Sequence, residues 1–224
     1  MQVFKTFDII GPRMIGPSSS HTAGAARLAH LAWHIAGEDV KKARLTLYGS
    51  FAETGAGHGT DKALLAGVLG IEPEDTRLRF ALLLAKEAGV EYEFLFEADA
   101  PGPYACMARI HIEGHTGQIT DVLGASIGGG NIRITNINGL EVEYTGEYPT
   151  VLVQHLDMRG AISAVTGVLF AAGINVAGMR VFRQAKGQIA CMMIETDTAV
   201  SDALCKQVRT CSDAVLDVRT IDKH

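Results

Sequence analysis

The chain has 224 residues, 47% of them hydrophobic, with 25 glycines and a formal net charge of -5 at neutral pH. That much apolar material supports packed cores and excludes a disordered chain, and the acidic balance supplies no basic footprint for nucleic acid. No uninterrupted apolar run reaches the roughly 18 residues of a membrane span, and "MQVFKTFDII" lacks the features of a secretory leader. A cytoplasmic location is therefore expected. The four cysteines, Cys106, Cys191, Cys205 and Cys211, stand without CxxC spacing. They read as reduced thiols, mostly buried, and not as a zinc or iron–sulfur ligand set.

Residues 4–10 open the chain, and the glycines and prolines of residues 11–17 make an irregular loop. Ser20 can cap a helix running to about Ala36, with Ala25, Leu28, Ala29, Ala32 and Ile35 on its packed face and Gly37 ending it. Residues 43–50 ("ARLTLYGS") alternate as a strand. "FAETGAGHGT" reads as a second glycine-rich loop, delivering a helix that begins near Thr60 or Asp61. A further helix is expected at about 76–88 and an alternating strand at 91–99. Several strands follow over 106–144, interrupted by "SIGGGN" and by "INGL", whose Asn138-Gly139 step is a hairpin signal. Residues 144–149 mark the expected boundary between a domain at 1–148 and one at 149–224.

The second segment begins with a β-branched strand at 150–156. Ile162, Val165, Val168, Leu169 and Ala172 then recur at helical spacing, with Asp157 as a turn or cap residue and Gly173 as terminator. Two strands flank a polar turn at 184–187. A helix starting at Ser201 or Asp202 runs to about Arg209, and a last strand covers 215–220. The order β-α-β-β-α-β is the split βαβ arrangement of ferredoxin-like folds. The whole is expected to be α+β, with a mixed α/β domain first.

Two loops carry candidate chemistry. In "GPSSSHT" (residues 16–22) three serines, His21 and Thr22 crowd a helix start, where free backbone N–H groups suit a carboxylate, phosphate or zwitterion. His21 can move a proton near neutral pH; equally, Ser20 can serve only as a cap. In "GHGTDKA" (residues 57–63) flanking glycines leave His58 approachable, and Thr60 and Asp61 are either site residues or caps. "GAGHGT" lacks the last glycine of a dinucleotide fingerprint, and no Walker lysine follows "SIGGGN". His111 and His115 are spaced by four in what reads as a strand and its turn, so a metal site is not expected there.

"HLDMRGAISAVTGVLFAAGINVAGMRVFR" resembles an ACT domain, on Asp157, Gly160 and the "GINV" run. The resemblance implies an amino-acid effector near the first strand-to-helix loop, with His155, Asp157, Arg159, Gly160 and Asn175 as candidates, and self-association. "GPSSSHT", "GSFAETGAGHGTDKALLAG" and "GASIGGGNIRI", in that order, resemble the beta chain of bacterial iron–sulfur-dependent L-serine dehydratase, over essentially the whole length. That family converts L-serine to pyruvate and ammonia with a [4Fe-4S] cluster acting as a Lewis acid. Its cluster cysteines belong to an alpha chain or domain, which this sequence lacks. The resemblance therefore implies an alpha-subunit partner holding the cluster, no metal in this chain, and a half-enzyme silent alone. It implies His21 and His58 as catalytic, and Ser18, Ser19, Ser20, Thr22, Thr60 and Asp61 as substrate-binding. The first domain also resembles the intervening substrate-like allosteric domain of some phosphoglycerate dehydrogenases. That likeness implies the alternative of a regulatory or assembly subunit binding an amino-acid effector.

Overall fold

The computed structural model describes residues 14–183 and 185–221. The opening segment at residues 4–10 and the start of the following loop lie outside them, as does Gln184 of the expected polar turn. The described residues divide into two compact units: one runs to Asn138 and includes Val142–Thr145, and the other holds Gly139–Glu141 and the chain from Gly146 onward.

The first unit is built on a six-stranded sheet. Its strands are β1 (Val40–Gly49), β2 (Glu91–Glu97), β3 (Cys106–Gly114), β4 (Ile119–Gly128), β5 (Asn131–Ile137) and β6 (Leu140–Tyr144), in the order β2-β1-β3-β4-β5-β6. β1 and β2 are parallel, so a helical crossover must join them; β1, β3, β4 and β5 pair antiparallel in turn. The helices are α1 (Ala25–Ala36), α2 (Ser50–His58), α3 (Thr60–Val68) and α4 (Ala81–Glu87). α1 lies along α3 and over β3 and β4, and Leu28, Leu31, Leu45, Leu47, Leu64, Ile110 and Ile112 are fully buried between helices and sheet. The Asn138-Gly139 step makes the β5–β6 turn, with both residues at positive φ (52° and 82°), as a primed hairpin turn requires.

Three expectations need correction. The helix expected from a Ser20 cap instead begins as a wide π-helical turn, Ser19–Gly24, capped by Ser18. Residues 51–58, expected as a glycine-rich loop, form most of α2. The physical reason is Phe51, fully buried at the start of that helix, and Gly55, whose bare face rests on Thr60. The segment at 76–88 opens as a 3-10 turn, Thr76–Phe80, because the Asp75 carboxylate accepts from Arg77 N at 2.8 Å.

The second unit contains β7 (Thr150–Leu156), α5 (Ala161–Ala171), β8 (Val176–Arg183), β9 (Ile189–Thr196), α6 (Asp202–Thr210) and β10 (Val215–Ile221). Its four-stranded sheet runs β10-β7-β9-β8, antiparallel throughout, in the β-α-β-β-α-β order read from the sequence. Val151, Val153, Met192, Ile194 and Val218 on one sheet face meet Val165, Leu169, Leu204 and Val208 from the helices. Gly173 stands at φ 71° just past α5, and Ser201 caps α6 by accepting from Leu204 N at 3.3 Å. Among the described residues, no helix is long and apolar enough to cross a membrane.

Candidate functional site

Ser18 has extended φ and ψ, and its Oγ accepts from His21 N at 3.0 Å. Its carbonyl accepts from both Thr22 N (3.0 Å) and Ala23 N (3.1 Å), which widens the turn that follows. Thr22 is buried and donates through Oγ1 to the His58 carbonyl at 3.0 Å. One hydrogen bond therefore fastens the start of α1 to the end of α2.

α2 begins where β1 stops, at Gly49 (φ 53°), and a Cβ there would stand 2.6 Å from the Ala105 carbonyl oxygen. Only glycine fits such a corner. Ser50 N then donates to the same carbonyl at 2.8 Å, fixing the helix start against the residue that leads into β3. Ser50, Thr54 and His58 follow at intervals of four and share one helix face. Onto that face comes His21: its Nε2 lies 3.1 Å from Ser50 Oγ and 3.0 Å from Thr54 Oγ1. The Phe51 ring meets it edge-on at 5.3 Å, and the His58 ring is tilted by 34° at 4.8 Å between centroids.

Burial pushes the His21 imidazole below its usual range, the Ser50 carbonyl partly opposes this, and a charge on His58 would lower it further. A neutral imidazole near neutral pH is suited to accept a proton, and surrounding hydroxyls suit a small polar substrate.

The other predicted residues divide by environment. Ser19 and Ser20 are half-buried in the same turn as His21. Thr60 is fully buried beneath Gly55, with its Oγ1 lacking a partner among the described residues. Asp61 lies half-buried in the first turn of α3. Ser50 and Thr54 were given no role from the sequence. Their spacing of four with His58 means something only on a helix, whereas the sequence pattern reads Ser50 as the end of a strand and residues 51–58 as a loop.

In the second unit, His155 is buried on β7, with Nδ1 2.7 Å from the Leu156 carbonyl and Nε2 lacking a partner among the described residues. Asp157 Oδ2 accepts from Gly187 N (3.0 Å) and Arg183 (3.1 Å), and these bonds hold the carboxyl below its ordinary range. Arg159 is exposed, and Gly160, at φ 89°, leads into α5. Asn175 donates to Asp197 at 2.6 Å. The strand register puts it at the opposite end of the sheet from Asp157: Val176 pairs with Thr196, whereas Arg183 and His155 both pair with Ala190. The structure brings residues 155–160 together and leaves Asn175 apart.

The four cysteines are free thiols, each half-buried, where mostly buried ones were expected. Burial raises all four, Cys191 to about 11. Among the described residues no three His, Cys, Asp or Glu side chains converge as metal ligands. A cluster needs several convergent thiolates, so this donor set does not fit one.

Residues 3–100 match the family model described as serine dehydratase beta chain. The chain is 44% identical over 202 residues to a probable L-serine dehydratase beta chain of Bacillus subtilis, covering 90% of this chain and 91% of that protein. It is 37% identical over 204 residues to the L-serine dehydratase beta chain of Peptoniphilus asaccharolyticus, covering 91% and 92%. It is also similar to a D-3-phosphoglycerate dehydrogenase of Bacillus subtilis, 32% identical over 165 residues, which is 72% of this chain and 30% of that one.

Proposed function

The chain belongs to the family of L-serine dehydratase beta chains, and on that premise we propose that it is the beta component of a two-chain L-serine dehydratase. The reaction removes the Cα hydrogen and the β-hydroxyl of L-serine as water; the resulting enamine isomerises to an imine, which water hydrolyses to pyruvate and ammonia. Such an elimination needs a base for a weakly acidic C–H and a proton for a poor leaving group. The observation that carries the reading is the pairing of His21 with His58 over the hydroxyls of Ser50 and Thr54. His21 takes or returns the substrate proton. His58, whose ring stands beside it, assists at the second position. Ser18, Ser19, Ser20 and Thr22, with Thr60 and Asp61 behind them, shape the hold on the substrate carboxylate at the turn before α1. The reading assigns the [4Fe-4S] cluster of this reaction to an alpha partner, and it is supported by the lack of converging thiols among the described residues.

The second unit is proposed as an ACT domain, on its strand order and on the 155–160 loop feeding the first turn of α5. An amino-acid carboxylate would be held there by backbone N–H groups and Arg159, with His155, Asp157 and Gly160 shaping the loop; Asn175 acts from the far end of the sheet, and two copies associate. Similarity to a D-3-phosphoglycerate dehydrogenase favours a second reading, in which the chain is a regulatory subunit and the His21 turn binds an effector.

The test is anaerobic, L-serine-dependent pyruvate release from this chain, from the reconstituted alpha chain, and from the two mixed. Turnover in the mixture alone supports a half-enzyme. Full turnover by the alpha chain alone sinks the catalytic role and leaves regulation.

A further inference from the structure

Thr54 touches both histidines through different atoms. Its hydroxyl oxygen is 3.0 Å from His21 Nε2, and its carbonyl oxygen is 3.0 Å from His58 Nδ1. The proton positions follow from who can donate. Thr54 Oγ1 lies 2.9 Å from the Ser50 carbonyl, which can only accept, so the threonine's single proton is committed there. What the hydroxyl presents to His21 is a lone pair. Nε2 of His21 must then carry hydrogen, since a bare nitrogen would face a bare oxygen at 3.0 Å. Ser50 Oγ, 3.1 Å away, accepts from the same N–H. His58 Nδ1 faces a carbonyl, so it too carries hydrogen.

We infer that Thr54 is a positioning residue that sets opposite tautomers on the two histidines, leaving His21 Nδ1 and His58 Nε2 as the open acceptors. The inference rests on the proposed role of His21 and His58 in turnover and adds which atom of each ring takes a proton. A single side chain and its own carbonyl thus set two rings whose centroids are 4.8 Å apart. A charge on the His58 ring would oppose a charge on His21. With the threonine proton committed, the 3.5 Å contact between the two hydroxyls has Ser50 Oγ as donor and Thr54 Oγ1 as acceptor.

The experiment is long-range proton–nitrogen correlation on the full-length chain labelled at its histidines, at a pH where both rings are neutral. His21 should show hydrogen on Nε2 and His58 on Nδ1. The second is the sharper test, because free histidine favours Nε2. Thr54→Val keeps the carbonyl and removes the lone pair. His21 should then move toward a mixture of tautomers and titrate at lower pH, with His58 unmoved, and Thr54→Ser should restore the wild-type spectrum. In the two-chain enzyme the Thr54→Val acid limb of kcat/KM should follow His21 downward, with turnover lowered roughly tenfold or more. Hydrogen on His21 Nδ1 in the wild type, or a His21 spectrum unmoved in Thr54→Val, overturns the inference whatever the activity. Spectra that move as expected beside an unchanged pH profile and turnover uphold the tautomers but overturn Thr54's role in catalysis, along with the catalytic reading of His21.

Discussion

Two polar clusters were expected, one in each unit, and they have turned out differently. Around His21, residues from two separate stretches converge: Ser18 and Thr22 from the turn before α1, and Ser50, Thr54 and His58 from one face of α2. Around Asp157 the polar groups are occupied in holding the fold. Asp157 ties down Gly187 and Arg183, and His155 lies inside the helix-covered face of its sheet, while Asn175, at the other end of the sheet, is bonded to Asp197. The difference lies in what each set of bonds leaves over. In the first unit the ring nitrogens and hydroxyls bond one another at a half-exposed surface, and one nitrogen of each ring keeps a lone pair to spare. In the second unit, Arg159 stands exposed at the loop, and Ala161 N already donates to the Met158 carbonyl at 3.4 Å.

The largest effect that sharpens this contrast is His21→Ala in the assembled two-chain enzyme. Loss of a group that moves a proton should lower turnover roughly 10²–10⁴-fold at saturating L-serine, while the two chains still co-elute in size-exclusion chromatography. Turnover kept at saturation with altered activation would instead place the His21 turn with the regulatory sites, and the two units would then be alike in purpose.

Next in size is Gly49→Ala. The added Cβ meets the Ala105 carbonyl oxygen at 2.6 Å in a backbone conformation disfavoured by side chains. The expected cost is about 1–3 kcal/mol in denaturant unfolding. Turnover should fall with it, since the corner sets where Ser50 begins α2. The same replacement at Gly187, also at positive φ but with open space around its Cβ position, should cost less. Equal losses at both sites would show that the Gly49 corner has no special hold on the cluster.

The two clusters also differed in how far they could be read from the chain alone. The second unit was legible in all six elements, because each strand and helix keeps its own apolar period and each helix has one face to bury. In the first unit the Asn138-Gly139 hairpin and the β1 and β2 strands were legible for the same local reasons. α2 was not. Its glycines at 55, 57 and 59 mimic a loop, and what makes it a helix is tertiary: Phe51 sunk into the core and Gly55 resting on Thr60. With α2 hidden, Ser50 and Thr54 were hidden too, and His21 and His58 stood as two separate candidates instead of one pair. Ser18 was similarly passed over as the cap in favour of Ser20, because the π-helical turn shifts the cap by two residues.

A pH dependence follows from the environment of His21. Its folded-state value lies below the usual 6.5, chiefly through burial. The unfolded chain therefore takes up this proton first as pH falls. The contribution to stability is complete above 6.5 and is lost as pH drops from there toward the folded value. An NMR titration of His21 in the full chain should show a midpoint below 6.5, and His58→Gln, which removes the neighbouring charge, should raise it. A midpoint at or above 6.5 would mean that water reaches the ring more freely than the packing against Phe51 implies.

The smallest expected effect concerns Asp157, and it bears most directly on whether the second cluster is structural. Its carboxyl is held below the ordinary carboxylate range by the Gly187 N–H first and the Arg183 guanidinium second. The sign is opposite to that for His21. The ionised group stabilises the fold above its unfolded value near 3.8, and that contribution disappears as pH falls through the lower folded value. Protection of the Gly187 amide from exchange should therefore persist to more acid pH than an unperturbed carboxylate would allow. Asp157→Ala should abolish that protection while leaving α5 and α6 amides protected, since the buried residues from those helices, Val165, Leu169, Leu204 and Val208, do not depend on the turn. Gly187 protection kept in Asp157→Ala, beside a loss of any thermal shift that added amino acids give the wild type, would show the reverse. Asp157 would then serve a ligand more than the turn, and the contrast between the two units would narrow to Asn175 and His155 alone.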